Sequence, residues 1–380
     1  MKILHISQPT SEGTAVVVRD LVKLGVGEGH QVTVACPADG PLRKWVCDEG
    51  ASWVELKTRR SPYPGDAMAL MRLRGVFNEY DIVHAHSSKA GALARMAARL
   101  SGTRAQEKVV FIPHGWSWLV GGWLAWFYRA FERRMATSCA RIVVVSPREL
   151  EAGRRVLGAT APLRLIENFA DRDRLHLDRP AAPRTSAPLI VCVGRLTRQK
   201  GQDRLIRALS QLSTPGVQLR FIGDGKDGSL LKNLAAQLRV ADRISFLGAC
   251  DPAPHYRAAD VVAIPSRWEG LSLVLLEAMA SGCAIVATED AAAGALGSAG
   301  MQISGYSESD IVCELTDSLD RLLGDESLRI HLGKAARQLA EESFSHSVWA
   351  ASYRSLWADV LQRSDPPTPP VGRELAAPGM

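Results

Sequence analysis

The chain has 380 residues, 46% of them hydrophobic and 23% charged, a composition that excludes a disordered or fibrous protein. This length exceeds what one ordinary hydrophobic core holds and indicates two domains. The formal net charge of +6 is spread along the chain, which argues against nucleic-acid binding and suits anionic small molecules or an acidic membrane surface.

Cysteine usage and hydropathy predict the cellular compartment. The seven cysteines form no C-x-x-C pair and lie mostly in apolar runs, as expected of small core residues in a reducing compartment. A first strand predicted from Lys2 leaves no room for a signal peptide. No apolar run reaches the roughly 18 residues that span a bilayer. We therefore expect a cytoplasmic protein.

Short β-rich apolar runs alternate with helical patterns along the whole chain. In the first half, strands are predicted at 2–7, 31–37, 52–56, 81–87, 109–114 and 141–146. In the second half, they are predicted at 189–194, 218–223, 243–248, 260–265 and 284–288. Ser146-Pro147-Arg148-Glu149 predicts a helix start, with Ser146 as N-cap and Glu149 in the reciprocal capping position. Continuously apolar strands favour parallel sheets covered by helices on both faces, hence an α/β fold of two doubly wound, Rossmann-like domains.

The domain boundary is predicted from composition. Residues 171–188 are rich in Asp, Arg, Pro and Ala without strand or helix periodicity, and are predicted to be a linker between domains at 1–170 and 189–345. A last helix is predicted at 346–363 and a disordered, Pro-rich tail at 364–380. Two such domains define a central cleft, since ligands bind outside the carboxyl ends of parallel strands.

Two charged pairs in the second half suggest a phosphate site. Arg195 and Lys200 share one loop after a strand, where a guanidinium fork and an ammonium could bind a diphosphate. Glu269 and Glu277 are separated by seven residues, and Glu277 lies in an apolar helical run, where an unpaired carboxylate would be costly. We expect a ligand to be its partner.

In the first half, His114 follows a strand and precedes a glycine that would let a ligand approach the backbone. Gly13 precedes a helix whose N-terminus could hold phosphate. Two other motifs are interpreted as coincidental. The G-x-G-x-x-G at 223–228 follows the second strand of its domain, which argues against a dinucleotide fold, and the D-x-D at 171–173 falls in the linker. No cluster has metal-ligand spacing.

The segments "GRLTRQKG", "FIGDG", "AADVVAIPSRWEGLSLVLLEAMASG" and "IPHGW" together resemble family 4 (group 1) of the retaining GT-B glycosyltransferases, over nearly the whole chain to about residue 360. The resemblance implies a donor diphosphate held by Arg195 and Lys200, with His114 and Glu269 beside the transferred sugar. It further implies that the nucleotide sugar is bound by Gly13, Gly223, Gly225, Gly270, Leu271, Ser272 and Glu277. It also places the last helix back across the domain junction and requires no metal or cofactor.

The acceptor side is predicted more coarsely. Ser87 and Lys89 follow a strand and are candidates for acceptor contact, as is Trp116 in the aromatic segment 115–134. That segment is interpreted first as a buried helix and loop, with a lipid-facing patch as the alternative. The basic segment 57–65 is a second, weaker candidate for contact with the inner membrane face.

The sequence therefore predicts a glycosyltransferase that moves a hexosyl unit from a UDP- or GDP-sugar to a hydroxyl of a glycan or lipid-linked acceptor. A nucleotide-sugar epimerase, a non-catalytic nucleotide-sugar-binding protein and, last, an NAD-dependent oxidoreductase are the alternatives.

Overall fold

The computed structural model describes residues 1–59, 61–120, 122–171, 175, 181–183 and 186–364. Within these ranges the chain forms two parallel sheets, each covered by helices on both faces. We call the first sheet with its helices the first lobe, and the second sheet with its helices the second lobe. The two predicted doubly wound domains are confirmed.

In the described part of the first lobe, seven strands pair in the order β3-β2-β1-β4-β5-β6-β7, all parallel. The strands are β1 (Lys2–Ser7), β2 (Gln31–Cys36), β3 (Ser52–Glu55), β4 (Ile82–His86), β5 (Val109–Ile112), β6 (Arg141–Val144) and β7 (Leu163–Leu165). The helices are α1 (Glu12–Gly27), α2 (Leu42–Asp48), α3 (Gly65–Val76), α4 (Ser87–Ser101), α5 (Thr103–Gln106), α6 (Ala125–Met135) and α7 (Pro147–Leu157), with 3-10 turns at Phe77–Glu79 and Ser117–Val120.

In the described part of the second lobe, six parallel strands pair in the order β10-β9-β8-β11-β12-β13. The strands are β8 (Leu189–Val193), β9 (Gln218–Ile222), β10 (Ile244–Phe246), β11 (Val261–Ile264), β12 (Ile285–Thr288) and β13 (Met301–Ile303). The helices are α8 (Gln202–Leu209), α9 (Gly228–Gln237), α10 (Ala253–Ala258), α11 (Leu273–Ala280), α12 (Glu289–Ala292), α13 (Glu308–Gly324), α14 (Glu326–Ser343) and α15 (His346–Ser364), with 3-10 turns at Arg198–Lys200 and Ala241–Arg243.

The predicted strands lie where the apolar runs placed them, most of them one or two residues shorter. Two edge strands, β7 and β13, were not predicted, since three residues each give too short a pattern to recognise. Three of the cysteines predicted to be core residues, Cys47, Cys250 and Cys313, are exposed. Of the predicted linker, 172–174, 176–180 and 184–185 lie outside the described residues, as does the predicted tail from 365 onward. Nowhere in the described ranges is a helix both long and apolar enough to cross a membrane.

The last helix, α15, is part of the chain's second half but packs on the first lobe. Its Trp357 is 1% exposed and donates a hydrogen bond to His84 on β4, and its Asp359 pairs with Arg141 of β6 at 2.8 Å. Trp349, nearer its start, packs on Phe169 with ring centroids 4.7 Å apart. The helix thus connects α14 of the second lobe to the first lobe, and its buried side chains belong to a hydrophobic cluster that contains residues of both lobes.

Candidate active site in the cleft

The topology determines where loops from both lobes meet. In each sheet the strand order reverses beside the first strand, between β1 and β4 in one lobe and between β8 and β11 in the other. Chains leaving neighbouring strands at such a point diverge to opposite faces and leave a crevice, where ligands of doubly wound sheets bind. The loops that carry Gly13, Ser87, Arg195 and Glu269 all leave these four strands.

The loop after β8 brings the predicted basic residues to the crevice. Lys200 ends the 3-10 turn Arg198–Lys200, and its Nζ lies 2.6 Å from Oε1 of Glu269, with only 17% and 10% of the two side chains exposed. Ser266 donates its hydroxyl to the same carboxylate oxygen at 2.9 Å. Arg195 is more open, with 39% of its side chain exposed, and its Nε lies 2.7 Å from Glu12 Oε2 of the first lobe.

The residues after β11 touch the first lobe directly. A Cβ added to Gly270 would lie 3.1 Å from Val145 Cγ2 and 3.3 Å from the backbone N of Gly115, so only glycine fits there without displacing the opposite lobe. The next residue, Leu271, accepts a hydrogen bond from the Asn168 side chain at 3.2 Å. Gly13 is exposed at the start of α1, and a Cβ there would lie 3.9 Å from Leu273 Cδ1.

Glu277 has a partner that the sequence analysis missed. It is the fifth residue of α11, in the second turn, and its Oε2 accepts a 2.8 Å hydrogen bond from the hydroxyl of Tyr256, which is 1% exposed. The expectation that this carboxylate would be unpaired in the absence of a ligand is therefore wrong. Ser272 is the N-cap residue, but its side chain makes no cap hydrogen bond. Glu277 remains half-buried and lines a small pocket with Asp20, Asn168, Asp171 and others.

Gly223 and Gly225 are needed where the β8 and β9 loops cross. A Cβ on Gly223 would lie 2.3 Å from the Gly194 carbonyl oxygen, and one on Gly225 would lie 2.3 Å from the Leu196 carbonyl oxygen. Gly223 also has φ of +129°, a conformation that other residues rarely adopt. The glycines therefore hold the Arg195 loop in place, and their predicted contact with a nucleotide base remains a prediction.

The backbone that follows His114 is held by Glu149. The Glu149 carboxylate accepts the backbone N–H groups of Gly115 at 2.8 Å and Val145 at 2.7 Å. The predicted capping box is thus only half formed, since Ser146 caps the helix while the Glu149 side chain is used elsewhere. Burial raises the pKa of the Glu149 carboxyl to about 7, although both backbone hydrogen bonds act in the opposite direction.

The three acceptor candidates differ in environment. Trp116 is 1% exposed, donates its indole N–H to the Glu149 carbonyl at 2.8 Å and stacks on Trp118, so it is a core residue and its predicted acceptor contact is wrong. The ammonium of Lys89 pairs with Asp66 on α3. Ser87 starts α4, and its hydroxyl is buried without a hydrogen-bond partner among the described residues.

Strained backbone conformations are concentrated in the loops that line the cleft. Of the described non-glycine residues, five have positive φ, and three of these follow β1, β4 or β5: Glu12 at +65°, Ser87 at +74° and His114 at +53°. Such conformations cost about 1–3 kcal/mol each and cluster at functional sites. Glu12 and Tyr256 were not predicted because their partners are distant in sequence and no local pattern connects them, and Glu149 was predicted only as a capping residue.

The comparisons with known proteins agree with this arrangement. The model of the "Glycosyl transferase 4-like domain" matches residues 12–168, and that of "Glycosyl transferases group 1" matches residues 174–339. The chain belongs to the group 1 (family 4) glycosyltransferases of the GT-B fold. The recognition made from the cleft motifs is thereby confirmed.

Two curated relatives cover most of the chain. This chain is 29% identical over 368 residues to the GDP-mannose-dependent alpha-(1-6)-phosphatidylinositol monomannoside mannosyltransferase of Mycobacterium tuberculosis. The alignment covers 88% of this chain and 90% of that one. This chain is also 29% identical to a D-inositol 3-phosphate glycosyltransferase of Corynebacterium jeikeium, covering 85% and 80%. Among solved structures, HepE of Anabaena in complex with UDP superposes with a TM-score of 0.79 at 20% identity, covering 94% of this chain and 100% of that one.

Proposed function

We propose that the cleft transfers a hexosyl unit from a nucleoside diphosphate sugar to a hydroxyl group, with retention at the anomeric carbon and without a metal. The observation that carries the proposal is the pairing of Lys200 with Glu269, which joins the loop after β8 to the loop after β11. Arg195 lies on the same loop as Lys200 and faces Glu12 of the first lobe. Two cations on this loop suit a diphosphate leaving group, and the Glu269 carboxylate next to Lys200 suits hydroxyls of the sugar.

The chemistry proposed is a front-face substitution. The acceptor oxygen bonds to the anomeric carbon on the side from which the diphosphate leaves, while the bond between that carbon and the phosphate oxygen breaks. The acceptor's proton passes to the departing phosphate oxygen, so the product nucleoside diphosphate also acts as the base. Arg195, Lys200 and the amides at the start of α11 would stabilise the negative charge that develops on the leaving group.

The relatives support the choice of donor and acceptor classes. One is named for GDP-mannose and for a phosphatidylinositol mannoside, another for an inositol phosphate, and HepE was solved with UDP. For this chain we propose a GDP- or UDP-sugar and an acceptor hydroxyl on a glycan or a lipid-linked glycan. A thermal-shift series with GDP, UDP and their sugars separates the bases, since stabilisation grows with the ratio of ligand concentration to Kd.

The decisive test compares charges on one loop. Arg195→Ala and Lys200→Ala should each lower kcat by a factor of 100 or more, since each removes stabilisation of the leaving group worth about 3 kcal/mol. Arg198→Ala is the matched control, because its side chain is exposed on the same turn. Near-wild-type turnover of Lys200→Ala would overturn the proposal, as would conversion of the nucleotide sugar to its epimer when no acceptor is present.

We further propose that the first lobe touches an anionic membrane surface through the segment after His114. Trp123 is 80% exposed, Trp126 66% and Phe127 49%, and three exposed arginines, Arg129, Arg133 and Arg134, follow on α6. Exposed aromatic side chains beside cations are typical of interfacial helices.

Co-sedimentation with vesicles, with and without anionic lipid, tests this contact. Trp126→Ser should lower the bound fraction, whereas Leu230→Ser, which alters a 67% exposed apolar residue on α9 of the other lobe, should not. No binding of the wild-type protein at low salt would remove the membrane from the proposal.

A further inference from the structure

A column of four histidine rings runs through the first lobe toward the cleft. His5 on β1 is the register partner of His84 on β4, and His86 lies two residues further along the same face of β4. The ring centroids of His5 and His84 lie 4.9 Å apart, those of His5 and His86 5.4 Å, and those of His86 and His114 5.4 Å, and the ring planes of each pair are nearly parallel. His5, His84 and His86 have no exposed surface, and His114 is the half-buried end.

Hydrogen bonds join three of these rings in series. His5 Nδ1 lies 3.1 Å from His86 Nε2, and His86 Nδ1 lies 3.1 Å from His114 Nε2. Burial lowers the pKa of His5 to about 3 and that of His114 to about 4, and lowers the pKa of His86 as well, so all three are neutral at pH 7. A neutral imidazole has one N–H and one lone pair. His86 must therefore donate to one neighbour and accept from the other, which leaves only two arrangements of the protons.

Trp357 on α15 distinguishes the two arrangements. Its indole N–H is only a donor, and it lies 2.8 Å from His84 Nε2. His84, also neutral because burial lowers its pKa, must then have its proton on Nδ1. That Nδ1 and His5 Nε2 are both buried without a hydrogen-bond partner among the described residues. In the stacked cluster, ring nitrogens of His5, His84 and His86 lie within 4.8 Å of one another.

The direction of hydrogen-bond donation along the three histidines follows from the cost of leaving N–H groups unpaired. If His114 donated to His86 and His86 to His5, His5 would have its proton on Nε2, and two unpaired N–H groups would lie in one buried cluster. In the opposite direction His5 Nε2 is a lone pair, which complements the His84 N–H. Buried unpaired N–H groups are rare and cost about 1–3 kcal/mol, so the second arrangement is the stable one.

We propose that Trp357 orders this chain, so that His5 donates to His86, His86 donates to His114, and His114 has its remaining proton on Nδ1. His114 Nε2 is then occupied as an acceptor, and the ring offers the cleft a neutral N–H donor. On the proposed function, this donor would bind an oxygen of the sugar, and His114 would not act as a general base. Trp357, His5 and His86 are positioning residues that act through His114.

A metal ion at His5, His84 and His86 is the competing explanation of the cluster. His84 Nε2 already accepts the Trp357 N–H, and His5 Nδ1 and His86 Nε2 already share a hydrogen bond. A metal ligated through these nitrogens would have to break those hydrogen bonds. The geometry favours the proton-ordered chain.

Long-range 1H–15N spectra of the ligand-free protein, with 15N in its histidine rings, test the proposal directly. At pH 7.5 we expect His5, His84, His86 and His114 all to be neutral with the proton on Nδ1. Trp357→Phe keeps an aromatic ring but removes the N–H, and should convert His114 to a mixture of both tautomers and raise the donor KM about fivefold. Tyr353→Phe, which removes the hydroxyl of another buried side chain on the same helix, is the control and should leave the tautomers unchanged.

Three other results would count against the ordered histidine chain. A wild-type His114 with its proton on Nε2 would overturn the proposal without any variant, and so would a Trp357→Phe protein whose His114 keeps a pure Nδ1–H form. One equivalent of tightly bound zinc or copper in the purified protein would assign the cluster to a metal instead. Because the spectra need no donor, expected tautomers in a protein that binds no nucleotide sugar would refute the proposed function and leave the chain standing.

Discussion

The Tyr256–Glu277 hydrogen bond allows the structural and ligand-binding roles of Glu277 to be measured separately. Tyr256→Phe removes the hydroxyl and keeps the carboxylate, whereas Glu277→Gln removes the charge and keeps a side chain of the same size. Burial and the neighbouring Glu277 charge hold the pKa of Tyr256 well above its usual value, so the phenol stays protonated and donates.

The magnitudes follow from the 2.8 Å contact. A hydrogen bond to a charged group contributes about 1.5–3 kcal/mol and a neutral one about 1 kcal/mol. Because the amide oxygen of Gln can still accept from Tyr256, the two substitutions should share a coupling energy of about 1 kcal/mol in the free energy of unfolding. If Glu277 also binds ligand hydroxyls, Glu277→Gln replaces a charge-assisted hydrogen bond by a neutral one. The loss is then about 1.4 kcal/mol, or tenfold in Kd. Tyr256→Phe should weaken donor binding about threefold or less, because the carboxylate remains.

Urea unfolding of the wild type, both single variants and the double variant gives the coupling energy, and titration calorimetry with the preferred nucleoside diphosphate sugar gives the Kd values. Unchanged donor affinity in Glu277→Gln, together with a loss of stability from the weakened hydrogen bond, would show that the carboxylate has a structural role only. The assignment of Glu277 to the donor site would then fall.

Variants at three other places test further contacts. Gly270→Ala should separate the lobes by a few tenths of an ångström and lower kcat/KM about tenfold. Gly27→Ala, which has open space around it, is the control and should leave kcat/KM unchanged. Equal kcat/KM values for the two variants would refute the close fit at Gly270. Glu149 has its pKa raised by burial to about 7, so the folded state binds its proton more tightly than the unfolded state does. Stability should therefore be full below about pH 4.5 and fall by about 3 kcal/mol as pH rises to 7. Glu149→Gln should flatten that part of the urea-midpoint profile, and an unchanged slope would contradict the assignment. Arg95 and Glu132 form a buried ion pair with a 2.8 Å contact, so Glu132→Ala should cost about 3–5 kcal/mol and Arg95→Met with Glu132→Leu much less; equal losses in urea would refute this.

The sequence predicted the parts of the fold and site that have local patterns. Continuous apolar runs gave the strands, and a parallel sheet places their carboxyl ends at one edge, so Arg195, Lys200 and Glu269 could be expected near one another. Trp116 was misassigned because an aromatic side chain beside a glycine looks the same whether it lines a groove or fills a core. Its burial is decided by Trp118 and Glu149, and only the packed structure shows that contact.

Interactions between the lobes could not be predicted from the sequence. Glu12 meets Arg195 across 183 positions of chain, and Asn168 meets Leu271 across 103, with no periodicity to relate them. Tyr256 was missed for another reason, since a buried tyrosine in an apolar helix is usual and its hydroxyl could have had many partners. The left-handed backbone of Glu12, Ser87 and His114 is likewise invisible in the sequence, because none of these residue types requires it.

The Glu12–Arg195 ion pair means that the cleft is already occupied by an anion of its own. Any phosphate that binds Arg195 has to displace the Glu12 carboxylate, whose oxygen lies 2.7 Å from the guanidinium. Inorganic phosphate or sulfate gains few other contacts when it does so. A larger ligand that gains contacts along both lobes at once can displace Glu12 and leave it to solvent. On the proposed function, this ion pair would favour a ligand that carries a nucleoside and a sugar over simple anions.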